Sequence, residues 1–305
     1  MIEKIIRRLG FGSPEVPMIP GMDVIEWQVS ELKSGSTVDV LCHKDSRLHV
    51  VSFKQSCPDK KQIDQVDLTA VFPSYKAQFA LYRQRRPVDK GTVFVKRTQI
   101  LDLIAAGNDQ SGTCGVNPSV IIDHEASICN RLMSELQSNI VEFLGVQVKD
   151  ELIFNHEEGK VHVPLAGKSV TGLAFKKYDC TLDDLVIRGH KVDVKVCLKS
   201  VAAALHYLHK MGYVHGSLSP HHVFVTNGND DNCFSLGDFA GAHSTGDVIT
   251  FKTDGNRWSK RKIPRVDHAE EEDDWYAFRK LTAWLIKETG EKVENFADIE
   301  ALTRR

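Results

Sequence analysis

The stretch YVHGSLSPHHVFV, residues 213–225, decides how the rest of the chain is read. Both its ends are apolar and strand-like. Between them Gly216, Ser217, Ser219 and Pro220 make a turn-forming loop that carries His215, His221 and His222. Immediately upstream, Val194, Leu198, Val201, Leu205 and Leu208 recur at steps of three and four, the stripe of a helix anchored in a core. That segment closes at Gly212, a helix-terminating position. Downstream come two short strand-like runs, HVFVT and FSLGDF, separated by the turn residues of 227–231. A polar, histidine-bearing loop is thus slung between a buried helix and a hairpin.

Further out, the N-terminal half is rich in strands. Val24-Ile25, Trp27 and Val29, then residues 38–41 and 48–53, read as a small hairpin or meander. The runs LTAVF (68–72), QFALYR (78–83) and TVFVKR (92–97) read as a second strand series with turns between them. Residues 105–116 form a glycine-bearing loop, and Ile121, Ile128, Leu132 and Leu136 predict a helix over about 121–136. NIVEFLGVQV and LIFNHEEGKVHV predict two more strands and a turn, and GLAFKKYD a buried strand leaving the core. A last helix is predicted over Asp274–Lys287, with Trp275, Phe278, Leu281, Trp284 and Leu285 on its inner side. Internal repeats and long low-complexity segments are absent from the sequence.

Bulk properties narrow the classes. With 305 residues, 42% hydrophobic and 26% charged, the chain has a globular composition that excludes wholesale disorder. Its 39 basic and 41 acidic residues leave a net charge of −2, so no global field draws nucleic acid or an anionic membrane. Cys42, Cys57, Cys114, Cys129, Cys180, Cys197 and Cys233 are odd in number and contain no CxxC pair, which predicts a reduced, metal-free, cytoplasmic protein. In MIEKIIRRLGFG, Glu3, Lys4, Arg7 and Arg8 interrupt any signal-peptide core around Ile2, Ile5, Ile6 and Leu9, so a short docked or frayed helix is expected there, with an amphipathic membrane contact as the alternative. No apolar run approaches the ~20 residues of a membrane span.

Taken in order, strands with one helix among them, then a helix, then two short strands around an HxS loop and an Asp-Phe pair resemble the protein-kinase family over roughly residues 66–288. The resemblance implies an α+β, bilobal fold. An N-terminal extension over 1–65 would precede a β-rich N-lobe with one helix over 66–178. A helical C-lobe over 179–305 would follow, abbreviated because only roughly twenty residues follow its last helix. In VFVKRT the family's phosphate-holding lysine is Lys96, and in HEASICNRL its helix partner is Glu125. In GDFAGA the metal aspartate is Asp238, with Ala240 where the family has glycine. The resemblance therefore implies an ATP–Mg²⁺ site built on Lys96, Glu125 and Asp238, with Asp238 as the Mg²⁺ ligand and Phe94, Phe175 and Lys176 bordering the nucleotide. Lys96 and Glu125 should form an ion pair. A rival register keeps Lys54 as the strand lysine, with Ser52 in the small-residue position.

The departures carry the functional expectation. Against the family's H-R-D-L-K-P-x-N, His215, Leu218 and Pro220 agree, whereas Gly216 replaces the arginine, Ser217 the catalytic aspartate, Ser219 the lysine and His222 the metal-binding asparagine. A serine hydroxyl cannot stand in for an ionised carboxylate as base. Imidazole matches poorly with Mg²⁺, which seeks oxygen. Phe72, Pro73, Ser74, Tyr75 and Lys76 stand where a glycine-rich phosphate loop belongs, and Phe94 where a small residue contacts adenine. No A-P-E triplet follows Asp238; instead Arg257, Lys260, Arg261, Lys262 and Arg265 precede the acidic run 270–274, read as mutual neutralisation on a solvated face, with a surface for an anionic partner or phosphosite as the alternative. DWYAF resembles D-x-W-S-x-G, making Asp274 the support of the loop backbone. His206 and His209, one helical turn apart, read as an incidental pair.

The expectation is a pseudokinase acting as a regulatory or scaffolding module that binds another protein, with ATP and Mg²⁺ binding weak or absent. Two alternatives stand beside it. One is an active atypical phosphotransferase acting on a protein or small molecule; the other is a nucleotide sensor without turnover. Nucleic acid is not an expected partner, since Arg83, Arg85 and Arg86 make only one short basic patch. The oligomeric state is open.

Overall fold

The computed structural model describes residues 22–32, 35–45, 47–54, 56–83, 91–98, 100, 116–133, 137–156, 159–227, 232–250, 258 and 268–291. The readings of residues 1–12, of most of the loop 105–116, of the turn 228–231 and of the basic residues in 257–265 lie outside the described residues.

The chain first builds a four-stranded antiparallel meander in the order β1 (Asp23–Leu32), β2 (Gly35–Lys44), β3 (Arg47–Lys54) and β4 (Cys57–Gln65). In β2 and β3, alternation puts Leu41, Leu48 and Val50 into a buried cluster with Val71, Phe72, Leu152 and Val163. The sequence did not predict β4. Its run CPDKKQIDQ lacks apolar alternation because it is an edge strand, exposed from Lys61 to Gln65.

LTAVF is a correction. Leu68–Val71 is a helical turn, α1, whose N-cap Asp67 accepts from the Thr69 amide at 2.9 Å. A four-residue apolar run has no period by which to tell helix from strand, and the cap decides it. QFALYR is also not a regular strand. It lies alongside the strand β6 (Phe143–His156), bridging at Leu81 and Val146. Gly145 makes this approach possible: at φ +124°, a Cβ there would stand 2.7 Å from the Ala80 oxygen and the Tyr82 nitrogen.

The second sheet has the order β5 (Val93–Lys96), β7 (Gly159–Lys176), β6, all antiparallel. The residue pattern predicts a hairpin arm and a separate GLAFKKYD strand here, yet β7 is one 18-residue strand. Three register shifts along β6 and β7 bend the hairpin. Its far end supplies Leu152 and Val163 to the meander's cluster, while its near end supplies Phe143, Val146, Val170, Leu173 and Phe175 to the main core.

Helix α2 (Pro118–Leu132) crosses this sheet. It begins at Pro118, whose fixed φ and missing N–H suit the first turn, and it buries Ile122, Glu125, Ala126, Ile128, Cys129 and Leu132. After β8 (Cys180–Thr181), α3 (Leu182–Ile187) is closed by a capping box in which Thr181 and Asp184 bond reciprocally.

The longer α4 (Val194–Lys210) starts at Asp193, whose side chain accepts from the Val196 amide at 2.9 Å. It buries the predicted stripe, with Leu198, Leu205 and Leu208 fully inside. Each such leucine contributes roughly 1.5–3 kcal/mol by burial. The strands β9 (Tyr213–Val214), β10 (Val223–Asn227), β11 (Asn232–Leu236) and β12 (His243–Ser244) follow. The last helix, α5 (Glu271–Thr289), starts three residues before the predicted Asp274. The run Glu271–Asp274 is its first turn, where carboxylates meet the positive end of the helix dipole. One buried cluster runs from α2, β6 and β7 through α4, β10, β11 and α5. The result is a mixed sheet-and-helix protein. Among the described residues, no helix is long and apolar enough to cross a membrane.

Candidate functional site

Three charged residues far apart in sequence meet where β5, α2 and the segment after β11 converge. Lys96 Nζ donates to both oxygens of Glu125, at 3.0 and 2.9 Å, and to Asp238 Oδ1 at 2.8 Å. Lys54 lies at the end of β3 in the separate meander, exposed and opposite Thr37 and Cys57. Lys96 is therefore the lysine that pairs Glu125.

Glu125 is buried, at 1% exposure, while Lys96 and Asp238 keep side-chain exposures of 34% and 26%. Burial opposes the ammonium of Lys96, yet the charges of Glu125 and Asp238 overcome it and raise its pKa. Burial raises the Glu125 pKa against the pull of Lys96. Asp238 is also opposed by burial, but Lys96 and then His222 hold it down at about 2. Its backbone is left-handed, φ 61°, and its carboxylate accepts from the Ala240 amide to start a short 3-10 turn over Phe239–Gly241.

The loop 214–223 lies beside this cluster, fastened from behind. Asp274, in the first turn of α5, accepts from the amides of His215 and Gly216, each at 2.8 Å. Asp274 also bonds His209 Nε2 at 2.9 Å, so His209 is part of the loop's support and not half of a metal pair with His206. Both histidine rings pack on Trp275. His215 is fully buried, with Nε2 donating to the Gly237 carbonyl at 3.0 Å. Its Nδ1 therefore accepts, 3.3 Å from the Ser217 amide and 3.4 Å from Ser217 Oγ. Burial holds the His215 pKa below its ordinary value.

His222 Nδ1 donates to the Ser217 carbonyl at 2.7 Å, and its Nε2 faces Asp238 Oδ2 at 3.6 Å. Ser219 Oγ is buried with no hydrogen-bond partner among the described residues. Ser217, Ser219 and His222 thus all line one loop next to Lys96, Glu125 and Asp238.

The remaining expected residues are placed differently. Phe94 and Lys96 share a face of β5 by strand alternation, and the Phe94 ring is half exposed. Phe175, opposite Phe94 in register, is buried against Phe143 with ring centroids 5.3 Å apart. Lys176 lines a cavity of about 690 Å³ together with Cys129, Ile140, Phe143, Tyr178 and Phe239; none of Lys96, Glu125 or Asp238 borders it. Phe72–Lys76 is not a free loop: Ser74 bridges Ser169 on β7. Phe72 is buried beneath the meander, and Lys76 pairs with Asp123 on α2. Among the described residues, β5 is hydrogen-bonded only to β7 and carries no strand on its other side.

Nothing in the sequence marks the contacts that fasten α2 to the segment after Asp238. His124 Nε2 bonds the Ala242 carbonyl and its ring packs on His243, while His243 Nδ1 bonds the Gly241 carbonyl at 2.9 Å. His124 directly precedes Glu125, which points to no role until the tertiary partner is in view.

No family model matches the chain, and no curated protein matches it by sequence. Among solved structures, it is similar to the yeast RNA Pol II CTD kinase CTDK-1 complex. The identity is 13% and the TM-score 0.39, and the match covers 70% of this chain and 64% of that one.

Proposed function

We propose that this chain is a protein-kinase-like module, bilobal around the Lys96–Asp238 cleft, that acts as a regulatory or scaffolding partner of another protein and not as an efficient phosphotransferase. The reading takes residues 66–178 as the β-rich lobe and 179–305 as the helical one. The observation that carries it is the contrast within the cleft. Lys96, Glu125 and Asp238 are bonded together, yet the neighbouring base position holds Ser217, whose hydroxyl lies 3.4 Å from His215 Nδ1. A hydroxyl held there neither carries the charge nor has the basicity of an aspartate that takes an acceptor's proton.

The assembled triad favours a second reading, a nucleotide sensor that binds ATP without turnover. A bound nucleotide at a hundred times its Kd adds about 2.7 kcal/mol of stability. The test is label transfer from radiolabelled ATP, together with a thermal-shift titration with ATP and Mg²⁺, on wild type and Lys96→Ala. The expected result is no transfer above the Lys96→Ala control. A Lys96-dependent thermal shift would favour the sensor. Robust Lys96-dependent transfer would overturn both readings in favour of an atypical phosphotransferase.

A further inference from the structure

Two donor atoms face each other beside Lys96, and each belongs to a group tied from behind. His222 Nδ1 donates to the Ser217 carbonyl at 2.7 Å, which places a proton on Nδ1 and makes Nε2 the coordinating nitrogen of the neutral ring. That Nε2 is turned toward Asp238 Oδ2 at 3.6 Å. The other oxygen of Asp238 is bonded to Lys96 at 2.8 Å, so Oδ2 is the one presented to the cleft. Metal-binding histidines characteristically donate their second N–H to a carbonyl or carboxylate, and the ligating carboxylates are themselves hydrogen-bonded. Both arrangements are already in place here.

The mounts are firm. The His222 side chain is only 11% exposed, and the left-handed backbone of Asp238 delivers its carboxylate from the start of a bonded turn. Lys96 is shared between the carboxyl groups of Glu125 and Asp238.

The donor set decides which cation fits. Mg²⁺ favours an all-oxygen octahedral shell and dehydrates reluctantly. A mixed imidazole and carboxylate pair suits first-row transition ions. We propose that His222 and Asp238 form a two-ligand half-site for a first-row transition dication with mixed nitrogen and oxygen coordination, in place of Mg²⁺. No third His, Cys, Asp or Glu joins them among the described residues. The rest of the shell therefore comes from water or from the phosphate oxygens of a bound nucleotide, and only that last element rests on the kinase-like reading.

Mn²⁺ is the suitable probe, because the chain's seven cysteines would capture Zn²⁺ indiscriminately. Full-length protein is titrated with Mn²⁺ alone and binding read by electron paramagnetic resonance, followed by pulsed spectra of the saturated sample. The expected result is one bound Mn²⁺ with nitrogen modulation from a coordinated imidazole. In His222→Asn the modulation disappears, affinity falls by about 10–100-fold, and excess Mg²⁺ displaces Mn²⁺ far more readily than from wild type.

Absence of nitrogen modulation in Mn²⁺-saturated wild type overturns the proposal without recourse to any variant. Modulation that persists in His222→Asn, or equal displacement by Mg²⁺ from both proteins, does so as well. Adding ADP separates the two readings. Mn²⁺ bound through nitrogen but indifferent to ADP leaves the metal site standing and counts against a nucleotide pocket. ADP binding with no preference for Mn²⁺ over Mg²⁺ does the reverse.

Discussion

Gly216 and Gly241 touch backbone to backbone: a Cβ on Gly216 would stand 2.8 Å from the Gly241 carbonyl oxygen, at a φ of +70° that side chains rarely adopt. The loop carrying Ser217 and the turn after Asp238 close on each other only because that position has no side chain. Gly216→Ala should therefore cost about 1–3 kcal/mol in urea unfolding, and the bulkier Gly216→Arg at least as much. A Gly216→Arg protein as stable as wild type would show that the two segments separate freely.

Lys96 holds two carboxylates, one of them fully buried. Lys96→Met leaves Glu125 and Asp238 facing each other uncompensated and should destabilise the chain by on the order of 3 kcal/mol. Lys96→Met combined with Glu125→Leu should recover part of that loss, which a double-mutant cycle in urea would measure. Additive losses would mean that water screens the pair.

Ser217→Asp with His222→Asn should not bring phosphoryl transfer above background. On the kinase-like reading proposed above, phosphates would need a strand beside β5 and adenine a small residue near Lys96, whereas no described strand pairs with the free side of β5 and Phe94 shares the Lys96 face; this chemistry depends mostly on positioning. Single-turnover assays with labelled ATP decide the matter, and strong transfer by the double variant would mean that those two defects are minor.

His215 gives the fold a dependence on pH with a definite sign. Burial lowers its folded pKa, so the native ring stays neutral while the unfolded chain takes up a proton near pH 6.5. Its contribution is complete above about pH 6.5 and declines as pH falls from there toward the folded value, with a slope of at most about 1.4 kcal/mol per pH unit. His215→Phe should start less stable, having lost the bond to Gly237, yet show a flatter stability profile between about pH 7.5 and 5.5. An unchanged slope in His215→Phe would assign the acid sensitivity to other histidines.

The parts of this molecule legible in its sequence are those whose local pattern agrees with their tertiary role. The stripe Val194–Leu208 is helical and buried, and Lys96, Glu125 and Asp238 each sit in a strand, helix or loop whose flanking residues announce it. Elements decided by contact were not legible. Strand β4 has no apolar rhythm because it lies on an edge, and α1 depends on a single aspartate cap. The burial of Phe175 against Phe143, the placing of Lys176 beside a separate cavity, and the links from His124 and His243 to the backbone after Asp238 all join residues distant in sequence. No spacing rule connects them. The acidic run before Trp275 has roles that its local pattern does not announce: its charges meet a helix terminus and, through Asp274, the amides of a distant loop.

The meander's inner face, finally, bears on how the chain can be dissected. Leu41, Leu48 and Val50 share one buried cluster with Val71, Phe72, Leu152 and Val163, so a cut ahead of residue 66 would not free a self-contained body. It would strip the cover from a greasy seam along the β6–β7 hairpin and invite self-association there. Partners retained by such a truncated fragment would report on that raw seam. A test of the proposed partner binding should keep the first four strands attached.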